Sequence, residues 1–231
     1  MPKNELHQKC AEKKISIDHV CEVGVFTPER SNILEFITKD KIRATLVEPD
    51  PQRIAAIKKF FAPYPAVRLY PFAVYDYNGT LELAQAGEST FATALPFSPA
   101  VINDQYKVKE EDTFSVECKR FDEMDDGTIG LLSIDTEGCE WYVLKYLKSR
   151  PLVISLETHG KSYSNPYLHE ILAWMDRNGY KRWFINKSDS IFYKEGAFTV
   201  SPGEKMKLRS MDAYIRFRKF RKGLFRSRKG Q

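Results

Sequence analysis

GLLSIDTEGCEWYVLKYL, Gly130 to Leu147, changes its period halfway along. Leu131, Leu132 and Ile134 form a short apolar run of the kind expected in a strand covered on both faces, whereas Glu140, Val143, Leu144 and Leu147 recur at helical spacing. Asp135, Glu137 and Glu140 crowd into the join between the two. An unpaired carboxylate in a core costs several kcal/mol, so acids placed where a strand enters one call for a reason. A strand end that opens onto a crevice supplies one, because a hydrated carboxylate there can face a ligand. The local alternative is a helix start, with Asp135 and Thr136 as N-cap types and Glu140 as the far member of a capping box.

The same alternation continues on both sides of this stretch. HVCEVG (19–24) and RATLVE (43–48) are apolar, β-branched runs, each followed by a helical pattern. The first helix is expected to open at Pro28 and to carry Ile33, Leu34 and Ile37. The second follows Pro49–Pro51 and places Ile54, Ile57, Phe60 and Phe61 at helical spacing. AVRLYPFAV (66–74) reads as a strand bent or ended by Pro71, and Asn78-Gly79 as the turn of a short antiparallel ribbon. Residues 86–112 show no clear period and read as a long loop. TFSVECK (113–119) and PLVISLE (151–157) are further strands, a helix is expected over about 166–178, and YKRWFIN and SIFYK form a hairpin around 187–189. Strands alternating with helices and closed by a hairpin predict a doubly wound, Rossmann-like α/β sheet, mostly parallel with an antiparallel strand pair near the C-terminus.

At 231 residues, 42% of them apolar and 29% charged, the chain has the make-up of one globular domain with an appendage. No apolar run reaches the roughly 18 residues that a bilayer span needs, and MPKNELHQKCAEKK has no apolar signal region. The four cysteines lie far apart without zinc-ligand spacing and read as reduced thiols. The expectation is a soluble, cytoplasmic protein. The net charge of +5 hides an asymmetry: Lys205 to Gln231 carries eleven Lys and Arg against one acid, Asp212, while residues 1–204 sum to −5. Residues 1–204 are accordingly read as the folded domain and 205–231 as a basic extension. DAYIRFRK (212–219) alternates with a period of two and reads as a last strand, with a flexible tail beyond it.

In doubly wound sheets, ligands bind beyond the carboxyl ends of the strands, near the point where strand order reverses. Three strand ends here are acidic, at Glu22, Glu48 and Asp135. Gly24 allows a tight turn and close approach to a ligand, and Glu48 lies 24 residues further on, near the spacing at which an acid receives ribose hydroxyls. A charged acceptor for a hydroxyl contributes roughly 1.5–3 kcal/mol. Dinucleotide sites need G-x-G-x-x-G to pack a pyrophosphate on a helix start, but this loop reads G-V-F-T-P-E-R and puts Glu29 there. S-adenosylmethionine, a nucleoside with a cationic sulfur and no phosphate, suits one glycine and an acidic crevice better.

Together VCEVGVF, LVEPDP, FAVYDYNGTLEL, VECKRFDEM and above all LLSIDTEGCEWYVLKYL resemble, in this order, the blocks of FkbM-type S-adenosylmethionine-dependent methyltransferases over about residues 15–195. That resemblance implies a Rossmann-like methyltransferase sheet. It puts the carboxy end of the cofactor near Glu22, Gly24 and Val25, its ribose on Glu48, its adenine near Ala73 and Val74, and Asp135 close to the reacting methyl group. It also implies O-methylation of a hydroxyl on a saccharide, glycan precursor or related metabolite. One departure stands out: the second glycine usual in the first motif is replaced by Pro28 or its neighbours.

Glu157 and His159, two apart at a strand end, point to one side and are candidates for the base that takes the hydroxyl proton, His159 foremost, with Asp135 and Glu137 completing the candidate catalytic set. The four could alternatively gather a divalent metal, although no ligand spacing is diagnostic and no metal is assigned. The basic extension suits peripheral contact with anionic lipid on the inner face of the membrane, and less well nucleic acid. An RNA-binding methyltransferase-like module and a nicotinamide-dependent oxidoreductase are the rival readings.

Overall fold

The computed structural model describes residues 5–87, 89–95, 97–160, 163–186 and 188–227, with side-chain surroundings left undescribed at 104 and 219–227. Along the chain run α1 (Glu5–Glu12), β1 (His19–Val23), α2 (Leu34–Thr38), β2 (Arg43–Val47), α3 (Pro51–Phe61), β3 (Val67–Tyr70), β4 (Ala73–Val74), β5 (Gly79–Ala86), β6 (Ser89–Ala92), α4 (Pro99–Asp104), β7 (Thr113–Lys119), β8 (Leu131–Ile134), α5 (Glu140–Lys145), β9 (Val153–Glu157), α6 (Leu168–Arg177), β10 (Tyr180–Asn186), β11 (Asp189–Lys194) and α7 (Pro202–Ser227).

Seven strands form the main sheet in the order β10-β11-β9-β8-β1-β2-β3. The five from β9 to β3 are parallel, and β11 runs antiparallel to both neighbours. Chain order therefore reverses between β1 and β8, which makes the crevice beyond their carboxyl ends the switch point. Every residue of β1 is buried, its polar ones included, as a central parallel strand requires. His19 is satisfied there by the hydroxyls of Thr45 at 2.8 Å and Thr128 at 3.0 Å, and its burial lowers its pKa.

Alternation along the strands sorts two cores. Leu132, Ile134, Ile154 and Leu156 face α5 and α6, with Val143, Leu144, Ile171 and Met175. Leu131 and Val153 face the other way and join Ile33, Phe36, Ile37, Ile57 and Phe61 of the α2 and α3 region. The strand-to-helix reading of Gly130–Leu147 is thus realised as β8 and α5, and the antiparallel pair as β10 and β11.

A second sheet, β4-β7-β5-β6, lies beside the first. Pro71 separates β3 from β4, so the single strand expected over 66–74 serves two sheets. Leu81, Leu83 and Val116 of this sheet pack with Cys139 of the β8–α5 connection and Tyr142 of α5, which brings it over the strand ends.

Four expectations are corrected. The long loop of 86–112 contains β6 and α4, whose start is capped by the Ser98 hydroxyl accepting from Val101 N. Pro28 opens only a short 3-10 turn, because Glu22 then draws in Ser31 and Asn32 and delays α2 to Leu34. The N-terminal segment, assigned no element from sequence, forms α1. The strand over 212–219 is part of the helix α7: Leu208, Met211 and Ile215 lie at helical spacing on a partly covered face, and Asp212 pairs with Arg182 at 2.6 Å. The eight-residue alternation misled because this helix has apolar positions on two opposite sides. Residues 228–231 of the basic tail lie outside the described residues.

Candidate functional site

The turn after β1 is built around a backbone contact. Gly24 takes φ +85°, and a Cβ added to it would stand 1.8 Å from the carbonyl oxygen of Asp135. Its N–H donates to Val47 at 2.9 Å, while Asp135 N donates to Val23 at 2.9 Å. Only glycine lets β1, β2 and β8 end together in this way. Two residues on, Phe26 holds φ +55° in the left-handed region, with the Arg53 guanidinium 4.2 Å from its ring centroid. Phe26 is the position in this loop that a second glycine would suit.

Carboxylates organise the loop. Glu48 accepts from Val25 N at 3.1 Å and Phe26 N at 2.8 Å on one oxygen, and from Asp50 N at 3.0 Å on the other. Glu22 accepts from the Ser31 hydroxyl and, at 2.7 Å, from Asn32 N. Burial raises the pKa of Glu48 and pushes that of Glu22 up to about 8, against the downward pull of these hydrogen bonds. Both acids therefore hold backbone as well as face the crevice. A carboxylate has about four lone-pair sites, so Glu48 retains room for a hydroxyl.

After β8 the chain turns through Asp135–Cys139. Glu140 is fully buried and accepts from Thr136 N at 3.0 Å, the Thr136 hydroxyl at 3.1 Å, Gly138 N at 3.2 Å and the Asn165 amide. It is Glu140 that closes this turn, and α5 has no side-chain cap from Asp135. Asp135 instead is exposed, with its pKa raised by surrounding protein and by Glu140 and Glu48. Glu137, at φ +54°, accepts from the Ser89 hydroxyl of β6 at 3.0 Å, which ties the second sheet to the turn.

These pieces enclose one cavity of about 280 Å³, close to the lower end of small-molecule sites. Glu22, Gly24, Val25, Glu48, Ala73, Val74, Asp135 and Glu137 all line it. Glu48 and Asp135 therefore share a single space. Apolar walls come from Phe72, Leu81, Leu83 and Phe91, and Arg30, Asn32, Thr136 and Cys139 contribute as well. Of these further residues, Leu81, Leu83 and Phe91 reach the cavity only because the second sheet folds over it, which no local pattern announces. Thr136 and Cys139 belong to the acidic Asp135–Glu140 stretch itself, so the sequence signals their place.

Glu157 and His159 are not among the lining residues. Glu157 stands opposite Asp189 across the β9–β11 pair, and burial together with Asp135, Glu140, Glu137 and Asp189 lifts its pKa far above the carboxylate range. That shift favours its neutral form. His159 Nδ1 lies 2.9 Å from the Thr158 hydroxyl, which in turn lies 2.8 Å from that of Ser190. Among the described residues, no group of three His, Cys, Asp or Glu side chains is arranged to hold a metal ion.

A switch-point crevice with a glycine turn, an acid after each of two strands and apolar walls defines a nucleoside-binding α/β protein of the Rossmann-like methyltransferase class. The Methyltransferase FkbM domain matches residues 20–182, and the chain belongs to that family. S-adenosylmethionine is the cofactor, and the site fits it: Gly24 lets the ends of β1 and β8 meet at the cavity wall, and the acids suit a cation with ribose hydroxyls.

Solved structures similar to this chain include a Staphylococcus aureus protein assigned as a caffeoyl-CoA O-methyltransferase, at 12% identity and TM-score 0.48, covering 82% of this chain and 80% of that one. Others are an S-adenosylmethionine-dependent methyltransferase of Aquifex aeolicus (10%, TM-score 0.44, 82% and 88%) and Aeropyrum pernix fibrillarin with bound S-adenosylmethionine (10%, TM-score 0.44, 78% and 67%). Likenesses this distant transfer no acceptor. No curated protein matches the chain.

Proposed function

We propose that this methyltransferase acts on a hydroxyl of a saccharide, glycan precursor or related metabolite. The observation that carries the reading is the common cavity of Glu48 and Asp135 beside the Gly24 turn. When bound, the cofactor supplies an electrophilic methyl group on a cationic sulfur. Glu48 would receive a ribose hydroxyl on its remaining lone pair, Gly24, Val25 and Glu22 would hold the amino-acid end, and Ala73 and Val74 the adenine.

The chain's remaining task is to hold an acceptor oxygen in line with that methyl, which contributes roughly 7–11 kcal/mol in favourable cases. Methylation of a hydroxyl would release its proton, which a group of the chain must accept. Asp135 is the ionised group on the cavity wall placed to take it, with Glu137 beside it. Glu157, kept neutral, is suited to donate a hydrogen bond rather than to act as base, and His159 serves as the base only if the acceptor reaches beyond the cavity toward β9. Four free, buried cysteines support a reducing, cytoplasmic setting.

Calorimetry with S-adenosylmethionine and its demethylated product, followed by a methyl-transfer screen over hydroxylated sugars and amines, tests the proposal. Transfer to amines and to no hydroxyl compound would overturn the O-methylation reading.

A further inference from the structure

The helix α7 is larger than its contact with the body requires. Its inward side is committed: Leu208 and Met211 line one small pocket together with Trp183, Phe184 and Ile185 of β10. Glu204 accepts from Lys13 Nζ at 2.7 Å and Trp183 Nε1 at 3.0 Å, and Asp212 pairs with Arg182 at 2.6 Å. Those two are the only acids in a helix that carries nine Lys and Arg. With both turned to the body and paired, the charge offered outward is positive.

The outward side is also apolar. Met206 is 68% exposed, Tyr214 54% and Phe217 59%, three of the seven exposed large hydrophobic residues among those described. Met206, Ala213 and Phe217 follow one another at intervals of seven and four, a stripe roughly 16 Å long at 1.5 Å per residue. Exposed Lys205, Arg209, Arg216 and Arg218 accompany it. The sequence continues the same spacing with Phe220 and Leu224. An isolated exposed apolar side chain is ordinary, but an apolar stripe among cations on a helix already anchored by its other face is not.

We infer that α7 docks this protein on an anionic lipid surface, its outward stripe entering the interface and its Lys and Arg meeting the headgroups. Charge complementarity selects that occupant: the helix presents cations around an apolar line, the arrangement of helices that lie in a membrane interface. Single-stranded nucleic acid is bound by aromatic rings in a basic groove. Here the line follows a convex helix surface and includes Met206 and Ala213, which enter hydrocarbon but do not stack on bases. No helix among the described residues is long and apolar enough to cross a membrane, so the contact is peripheral. It is independent of the methyltransferase reading.

The test is sedimentation of the full chain with vesicles of phosphatidylcholine, with and without phosphatidylglycerol, at low and high salt. Binding is expected only to the anionic vesicles and to weaken with salt. The double variant M206S/F217S should lower it about tenfold or more, and R216Q/R218Q should lower both it and its salt dependence. All variants change exposed positions, so melting temperature and S-adenosylmethionine affinity should be unchanged. Failure to sediment with anionic vesicles would overturn the inference. So would full binding by the M206S/F217S variant, or a single-stranded RNA oligonucleotide bound where vesicles are not.

Discussion

The carbonyl oxygen of Asp135 occupies the place a side chain on Gly24 would need, 1.8 Å from where the Cβ would stand. Gly24→Ala must therefore separate the ends of β1 and β8 and also hold alanine at φ +85°. Together these should cost about 3 kcal/mol or more and open the cavity beside the turn. Thermal unfolding should show a lowered melting temperature and calorimetry a loss of S-adenosylmethionine affinity. A variant with wild-type stability and affinity would mean that the two strands do not meet as described.

Burial of Glu22 sets a pH dependence whose sign follows from its raised pKa. The group titrates near 4.5 in the unfolded chain and about 8 in the folded one, so the folded state holds a proton that the unfolded state releases between those values. Its contribution is fully present below pH ~4.5, declines as pH rises, and is gone above pH ~8, an effect of a few kcal/mol at most. Denaturant unfolding across this range should show stability falling with pH. In Glu22→Gln, which does not titrate, that slope should flatten. An unchanged slope in the variant would assign the effect to another group.

What the sequence made legible is what local period controls. Leu131, Leu132 and Ile134 and the Val143–Leu147 spacing marked β8 and α5 because each pattern is local and strong. Gly24, Glu48 and Asp135 could be chosen because strand ends in such a sheet converge by topology. The roof of the cavity was hidden: Phe91 and Leu83 lie in short strands whose place over the site depends on tertiary packing. The acids also carry two tasks that residue type does not separate. Glu140 is held by three hydrogen-bond donors of its own turn and by Asn165, and Asp135 by none of them. In α7 an eight-residue window could not distinguish alternation along a strand from apolar positions on opposite sides of a helix.

The division of labour in that turn gives a graded expectation. Glu140→Ala leaves Thr136 N, Gly138 N and the Asn165 amide without their acceptor in a buried site, which should cost ~3 kcal/mol or more. Glu140→Gln keeps an oxygen for the turn and loses mainly the Asn165 bond, so it should cost less. Melting temperatures in the order wild type, Gln, Ala are expected, with cofactor affinity falling in parallel as the turn loosens. Equal losses for Gln and Ala would show that the negative charge, not the acceptor geometry, is what the turn requires.

Asp135 should behave in the opposite way. Desolvation by the surrounding protein, together with repulsion from Glu140 and Glu48, raises its pKa, so its charge is unfavourable to the fold. Asp135→Asn removes that repulsion at nearly constant shape. Stability at neutral pH should hold or rise, because the charge lost was opposed by its neighbours. Turnover should fall by about 10² or more if the carboxylate accepts the acceptor's proton, a loss typical for removal of a positioned base. S-adenosylmethionine affinity measured alongside separates two roles: a loss of affinity alone would make Asp135 a binding group, and a loss of turnover at unchanged affinity would make it the base. Turnover within a few-fold of wild type, with affinity also unchanged, would remove Asp135 from both.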